Sequence, residues 1–204
     1  MSSPYNDIDG RTEKLKKIVL LMLNRLRLKA TVISDKQLEK QVKSAFDALY
    51  NSVLKQYFES VAQTYSAVTK DDLNKWLEEY YIVTEYVFKN EWDRKAERYL
   101  EALLAMKASE FSLSGSKSAE LQRKTSKLLS KQIEEYGIFV VDKARNLKFE
   151  DDGIKRIKWI AQKDRKTCAV CRARDNKIYD IDNAPAKEHY GCRCYYVPVG
   201  GETA

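Results

Sequence analysis

All four cysteines and the only histidine of this 204-residue chain fall between positions 168 and 194. They form two clusters, Thr167-Cys168-Ala169-Val170-Cys171 and His189-Tyr190-Gly191-Cys192-Arg193-Cys194. A Cys-x-x-Cys pair on a tight turn aims two thiolates at one point, and a second cluster further along the chain closes the site. The stretch between them is too short to have a core of its own. A bound metal would therefore contribute directly to its folding, on the order of 10 kcal/mol in small zinc modules. Zinc takes four soft or borderline ligands in a tetrahedron, so the pattern predicts structural Zn2+. Five residues compete for four places. Cys168 and Cys171 come first, then Cys192, which with His189 has the spacing of a chelating pair. The fourth ligand is either His189 or Cys194. If it is His189, Cys194 is a buried thiol. If it is Cys194, the imidazole supports the site from outside the ligand shell.

Several other chemistries fit this pattern poorly. A catalytic zinc keeps an open position and needs a general base nearby. Asp164, Asp175 and Glu188 are close in sequence, but there is no His-Glu-x-x-His or His-x-Glu pattern and only one histidine. A redox Cys-x-x-Cys belongs at a helix start in a βαβ unit, which the sequence does not suggest. The expectation is a protein without catalysis. The start, Met1-Ser2-Ser3-Pro4-Tyr5-Asn6-Asp7, has neither a basic nor an apolar leader character. The longest apolar run, from Ile18 to Leu23, is far short of the roughly 20 residues a spanning helix needs. The reading is a soluble protein made in a cytoplasm, with reduced thiols and no membrane partner.

The rest of the chain reads as helix. With only 7 Gly and 3 Pro, it has few breaks. Leu15, Ile18, Val19, Met22, Leu23 and Leu26 make the stripe of a first amphipathic helix. Ser34 is a candidate N-cap for a second, carrying Leu38, Val42, Ala45, Phe46, Leu49, Val53, Tyr57 and Val61. Thr69 with Asp72 resembles a capping box for a third stretch, which continues after a bend through Trp92 and Leu104. Residues 111–118 read as a loop and 119–136 as a further helix. Gly137 ends or kinks that helix, which resumes to Leu147 despite the strand-like Ile138-Phe139-Val140-Val141. Ile157, Trp159 and Ala161 then alternate with Arg156 and Lys158 as in a short strand, and Asp175-Asn176 suits a hairpin turn. No internal repeat or sustained heptad is apparent. The fold class expected is mainly α, a long-helix bundle followed by a small zinc-bound β-hairpin module. The divisions are a flexible tail over 1–10, a helical domain over 11–149 and a basic zinc-binding module over 150–204, with the boundary at Glu150-Asp151-Asp152-Gly153.

The charge is uneven. Of the net +7, residues 154–198 carry 11 Lys and Arg against 5 Asp and Glu. A local basic surface of this kind suits a polyanion, with nucleic acid the obvious candidate. The residues expected to touch DNA phosphates are Lys155, Arg156, Lys158, Lys163, Arg165, Lys166, Arg172, Arg174 and Lys177.

The pattern Trp159-x4-Asp164-x2-Thr167-Cys168-x2-Cys171, then Pro185-x3-His189-x2-Cys192-Arg193-Cys194, resembles the C-terminal motif of phage head-morphogenesis proteins, also called minor head or minor capsid proteins. Tyr190 stands where that family often has Pro, and Arg174-Asp175-Asn176 where it often has Leu-Asp-Gly. The resemblance implies a virion component in the capsid interior near the portal vertex, made in the host cytoplasm. It would act in capsid assembly and in genome packaging or ejection. Its implied partners are the portal protein, double-stranded DNA without sequence preference, other capsid or scaffold components, and sister copies around the portal. Exposed aromatics on the helical part, Trp76, Tyr80, Tyr81 and Trp92, are the expected contacts with the portal or with sister copies. Two other classes remain beside this one. A stand-alone zinc-ribbon nucleic-acid-binding protein would show sequence preference. A small metal-dependent nuclease or toxin would degrade DNA when a divalent ion is added.

Overall fold

A computed structural model of the chain describes residues 3–65, 68–78, 88–109, 115–165, 167–189 and 191–200. The protein is mainly helical: α1 (Asn6–Ala30), α2 (Asp35–Thr64), α3 (Lys70–Glu78), α4 (Phe88–Ala108) and α5 (Ser116–Asp151) precede a small C-terminal sheet. There, β1 (Arg156–Ile160), the short helix α6 (Ala169–Arg174), β2 (Ile178–Asp180), a 3-10 turn (Ile181–Asn183) and β3 (Tyr195–Pro198) follow in order. The strands are antiparallel in the order β2-β1-β3, with Ile157 opposite Tyr179 and Trp159 opposite Tyr196.

The caps read from sequence are present. Ser34 Oγ accepts from Gln37 N at 3.3 Å while Gln37 Oε1 accepts from Ser34 N at 3.0 Å, which satisfies two donors at the start of α2. Thr69 and Asp72 form the same reciprocal pair ahead of α3, at 3.1 and 2.9 Å. At the other end of the helical part, Gly153 has φ +66, and Ile154 N donates to Phe149 O at 2.9 Å. Gly153 N donates to Glu150 O at 3.0 Å, completing a Schellman stop after α5.

The chain divides into two compact units. One, the helical unit, comprises Asp9–Gln56 and Val87–Glu134. Its core is a set of apolar residues at helical spacing, among them Leu15, Val19, Leu23, Phe46, Val53, Tyr99, Leu103 and Leu129. Trp92 is fully buried there, its Nε1 donating to Phe46 O at 3.0 Å, and Tyr99 Oη donates to Leu23 O at 2.9 Å. The other, the cysteine unit, comprises Met1–Ile8, Tyr57–Tyr86 and Glu135–Ala204.

Several expectations are corrected. The tail expected over 1–10 is replaced by helix from Asn6, and Tyr5 and Ile8 are buried, because these two apolar side chains find a core in the cysteine unit. The boundary expected at 150–153 lies within that unit. Gly137 does not end α5. A Cβ built there would lie 2.4 Å from the Tyr57 ring, so the glycine makes room for an aromatic neighbour inside a continuous helix. α5 starts at Ser116, where Gly115 O accepts from Ser118 N and Ala119 N. Residues 111–114 of the expected loop lie outside the described residues. Asp175-Asn176 does turn the chain, with Asn176 at φ 62, but it joins α6 to β2 and not strand to strand. Trp76 and Trp92 are buried and are not surface contacts, because burying rings of such large apolar area stabilises the fold. Tyr80 and Tyr81 lie outside the described residues. No helix among the described residues is long and apolar enough to cross a membrane.

Candidate metal centre

The first cysteine pair is organised by α6. Cys168 is its N-cap, and its Sγ accepts from Cys171 N at 3.4 Å. The Cys-x-x-Cys spacing thus places both sulfurs at the first turn of one short helix. The approach to this turn is fixed by Asp164 and Thr167. Thr167 Oγ1 donates to Asp164 Oδ1 at 2.9 Å and accepts from Asp164 N at 3.2 Å. Arg172 Nε then donates to Thr167 O at 3.0 Å. At the far end, Asp175 Oδ1 accepts from Ala161 N at 2.9 Å, and Asn176 N donates to Trp159 O at 2.8 Å, which ties α6 to β1. The Ala161 N–H holds the Asp175 carboxyl below its ordinary range. The acidic residues near the cysteines in sequence therefore act as structural acceptors: Asp164 and Asp175 brace the backbone, and Glu188 pairs with Arg174.

The second cluster returns just before β3. Gly191 has φ +63, and a Cβ there would approach Glu135 Cγ to 3.3 Å, so both conformation and space call for glycine between His189 and Cys192. Two triples of donor atoms result, Cys168 with Cys171 and His189, and Cys171 with Cys192 and Cys194. Within each triple the donor atoms lie within 4.8 Å of one another. Cys171 belongs to both, and its Sγ is 3.5 Å from Cys192 Sγ. All four cysteines are free thiols, and Cys171, Cys192 and Cys194 are buried against Trp159 and Ala161, with Tyr179 and Tyr196 packed alongside. All five residues singled out from sequence are thus brought to one place.

The thiols are electrostatically uneven. The hydrogen bond from Cys171 N holds the Cys168 thiol below its ordinary range, and burial pushes Cys171 up to about 12. The hydrogen bond from Cys194 holds Cys192 down at about 5, and the same bond pushes Cys194 well up. Thiolates this close repel one another, so in the absence of a cation some must keep their protons. A divalent ion at the common point removes that conflict, because a coordinating thiol is deprotonated outright. The donor set, its mutual distances and its burial fit a metal ion.

A polar knot, not legible from local sequence, lies behind the second cluster. Lys187 Nζ donates to Cys192 O and to Tyr5 Oη, both at 2.9 Å, and pairs with Asp142. Tyr5 Oη donates to Asp142 Oδ1 at 2.6 Å and lies 3.2 Å from Cys194 O. Burial, then the Asp142 charge, raises the Tyr5 phenol well above its ordinary range. Arg145 Nη2 donates to Tyr196 O at 2.5 Å, with its guanidinium over the Phe149 and Tyr195 rings. The carbonyls of the Cys192-x-Cys194 turn are thus held by Lys187, five residues before Cys192, and by Tyr5 from the other end of the chain, while Arg145 holds the strand that follows.

The basic residues have divided roles. Lys155, Arg156, Lys163, Arg165, Arg172 and Lys177 are exposed, and Lys158 is half-buried. Lys163 pairs with Asp175 at 3.0 Å. Arg174 is committed internally: it lies over the Trp159 ring, donates to Ala186 O at 2.9 Å and pairs with Glu188. Lys166 lies outside the described residues, as does Tyr190.

No curated protein and no solved structure matches the chain. Residues 114–197, about two fifths of the chain, match the family model described as Phage Mu protein F like protein. That stretch runs from the start of α5 into β3 and contains all five candidate ligands, so it is in this part of the molecule that the chain is similar to a known family.

Proposed function

We propose that the protein is a phage minor head protein, a non-catalytic virion component in which a structural zinc fixes the fold of a basic C-terminal module. The observation that carries this reading is the five-donor cluster lying inside the stretch similar to the Phage Mu protein F family. Cys168, Cys171 and Cys192 hold the ion together with either His189 or Cys194. When bound, the zinc supplies a cross-link between α6 and the turn before β3, and no open chemistry. The protein acts in head assembly and in genome packaging or ejection, in the capsid interior near the portal vertex. Its partners are the portal protein, other capsid or scaffold components, sister copies, and packaged DNA held through phosphates.

Two measurements test the reading. Native mass spectrometry of freshly reduced protein should find one zinc per chain. It should be lost in Cys168→Ala and in only one of His189→Ala and Cys194→Ala. Absence of metal from the wild type would sink the structural role. Binding of a mixed-sequence duplex should weaken steadily as salt rises, and Lys155→Gln with Lys177→Gln should reduce the slope by about one for each phosphate that is no longer neutralised. An affinity insensitive to salt would rule out binding through phosphates. Degradation of the duplex on adding Mg2+ or Zn2+ would favour the nuclease class instead.

A further inference from the structure

Helix α1 has two apolar faces, and the helical unit uses only one. Leu15, Val19, Leu23 and Leu26 are buried, whereas Ile18, Leu21 and Leu28 are 42, 59 and 53% exposed. Val32, in the turn that continues from α1, is 80% exposed. Within the helix, Lys14, Ile18, Leu21, Arg25 and Leu28 follow an alternation of four and three, while Leu20, 52% exposed, lies off it. That spacing is the seam of a coiled coil, narrower than the wide apolar face of a helix lying on a lipid surface. The seam carries no aromatic anchor and has Arg25 in its middle.

The charges decide what can cover it. Lys14 and Arg25 sit within the seam, and Lys17 and Lys29 flank it, all four exposed. No acidic residue occupies a seam position. A second copy of α1 packed here would oppose cation to cation, and the seam spans only about two heptads, short of the three or four that sustain an independent coiled coil. A helix with apolar residues at the same spacing and Glu or Asp along its edges would meet both requirements, since α1 is already folded and edge charges set partner choice. We propose that this face of α1 is a docking site for an acidic amphipathic helix of another protein. The site lies outside residues 114–197 and depends neither on the metal centre nor on a role in the phage head.

The test uses the full-length protein and two synthetic heptad peptides with Ile at a and Leu at d. One carries Glu at e and g, and the other Lys. The acidic peptide should bind and the basic one should not, with affinity falling as salt rises. Leu21→Ser with Leu28→Ser should weaken the acidic peptide about tenfold or more while leaving the melting temperature near that of the wild type, because both side chains are already exposed. Arg25→Glu with Lys29→Glu should exchange the preference to the basic peptide. Failure of the acidic peptide to bind, or equal binding by the serine variant, would overturn the proposal. Self-association of the wild type that the serine variant loses would replace it with a second copy. Binding to vesicles containing phosphatidylserine, without binding to the acidic peptide, would replace it with a membrane surface.

Discussion

The two units of this protein reach stability by different means. The helical unit buries Leu, Val, Phe and Trp side chains drawn from long helices, and hydrogen bonds such as that from Trp92 to Phe46 O finish a core that hydrophobic burial already specifies. In the cysteine unit, the C-terminal module has strands of three to five residues. It gathers Trp159 and Ala161 around three buried cysteines, and is held by short-range turns, a Tyr5–Asp142–Lys187 knot and the donor cluster. Around the cysteines this apolar cluster is small, and a metal held by the donor cluster would add a cross-link to it. Burial tolerates change by degrees, whereas a cross-linked module is expected to fail at single positions.

Metal removal should separate the two most sharply. A zinc chelator, or Cys171→Ser, is expected to remove on the order of 10 kcal/mol from the folding of the module. Amide exchange should then lose protection in β1, β2 and β3 and keep it in α1 and α2. Loss of protection throughout would mean that the units are not independent in this respect.

A core deletion is the reciprocal experiment. Trp92→Ala should cost about 3–5 kcal/mol in the helical unit, read as a fall in denaturation midpoint, with zinc content unchanged. Gly137→Ala comes next, at about 1–3 kcal/mol, because the added methyl must displace the Tyr57 ring inside the cysteine unit. If it proved neutral, the close packing of Tyr57 on α5 would not be what Gly137 provides.

The smallest effect concerns the cap of α3. Hydrogen bonds from Thr69 hold the Asp72 carboxyl below its ordinary range. A depressed folded-state value stabilises above the unfolded value of about 3.9 and is lost as pH falls through the folded one. Asp72→Asn should therefore lower the melting temperature slightly at neutral pH and make no difference in strong acid. An effect that grew towards low pH would contradict the cap.

Much of the helical part was legible because its signals are local. The apolar stripe of α1, apart from Ile18, which faces solvent, the Ser34 and Thr69 caps and the period-two alternation of β1 each involve residues within a few positions of one another. The gathering of the four cysteines and the histidine was legible because residues that rare in the chain seldom cluster without a reason. Gly137 misled because glycine in a helix signals a break only when nothing presses against it, and Tyr57 is 80 positions away. Trp76 and Trp92 misled because a stripe of aromatics does not say which side meets a neighbour.

The amino-acid sequence by itself determined that the chain is mainly helical, that its C-terminal part is basic, and that five residues able to hold a metal gather there. Composition and short-range spacing fix each of these. Tertiary structure alone decided that Tyr5, Asp142 and Lys187 meet behind the Cys192-x-Cys194 turn, and that α1 leaves its second apolar seam in solvent. Both depend on which faces of distant segments pack together, and that choice is made by burial of the whole chain and not by any one stretch of it.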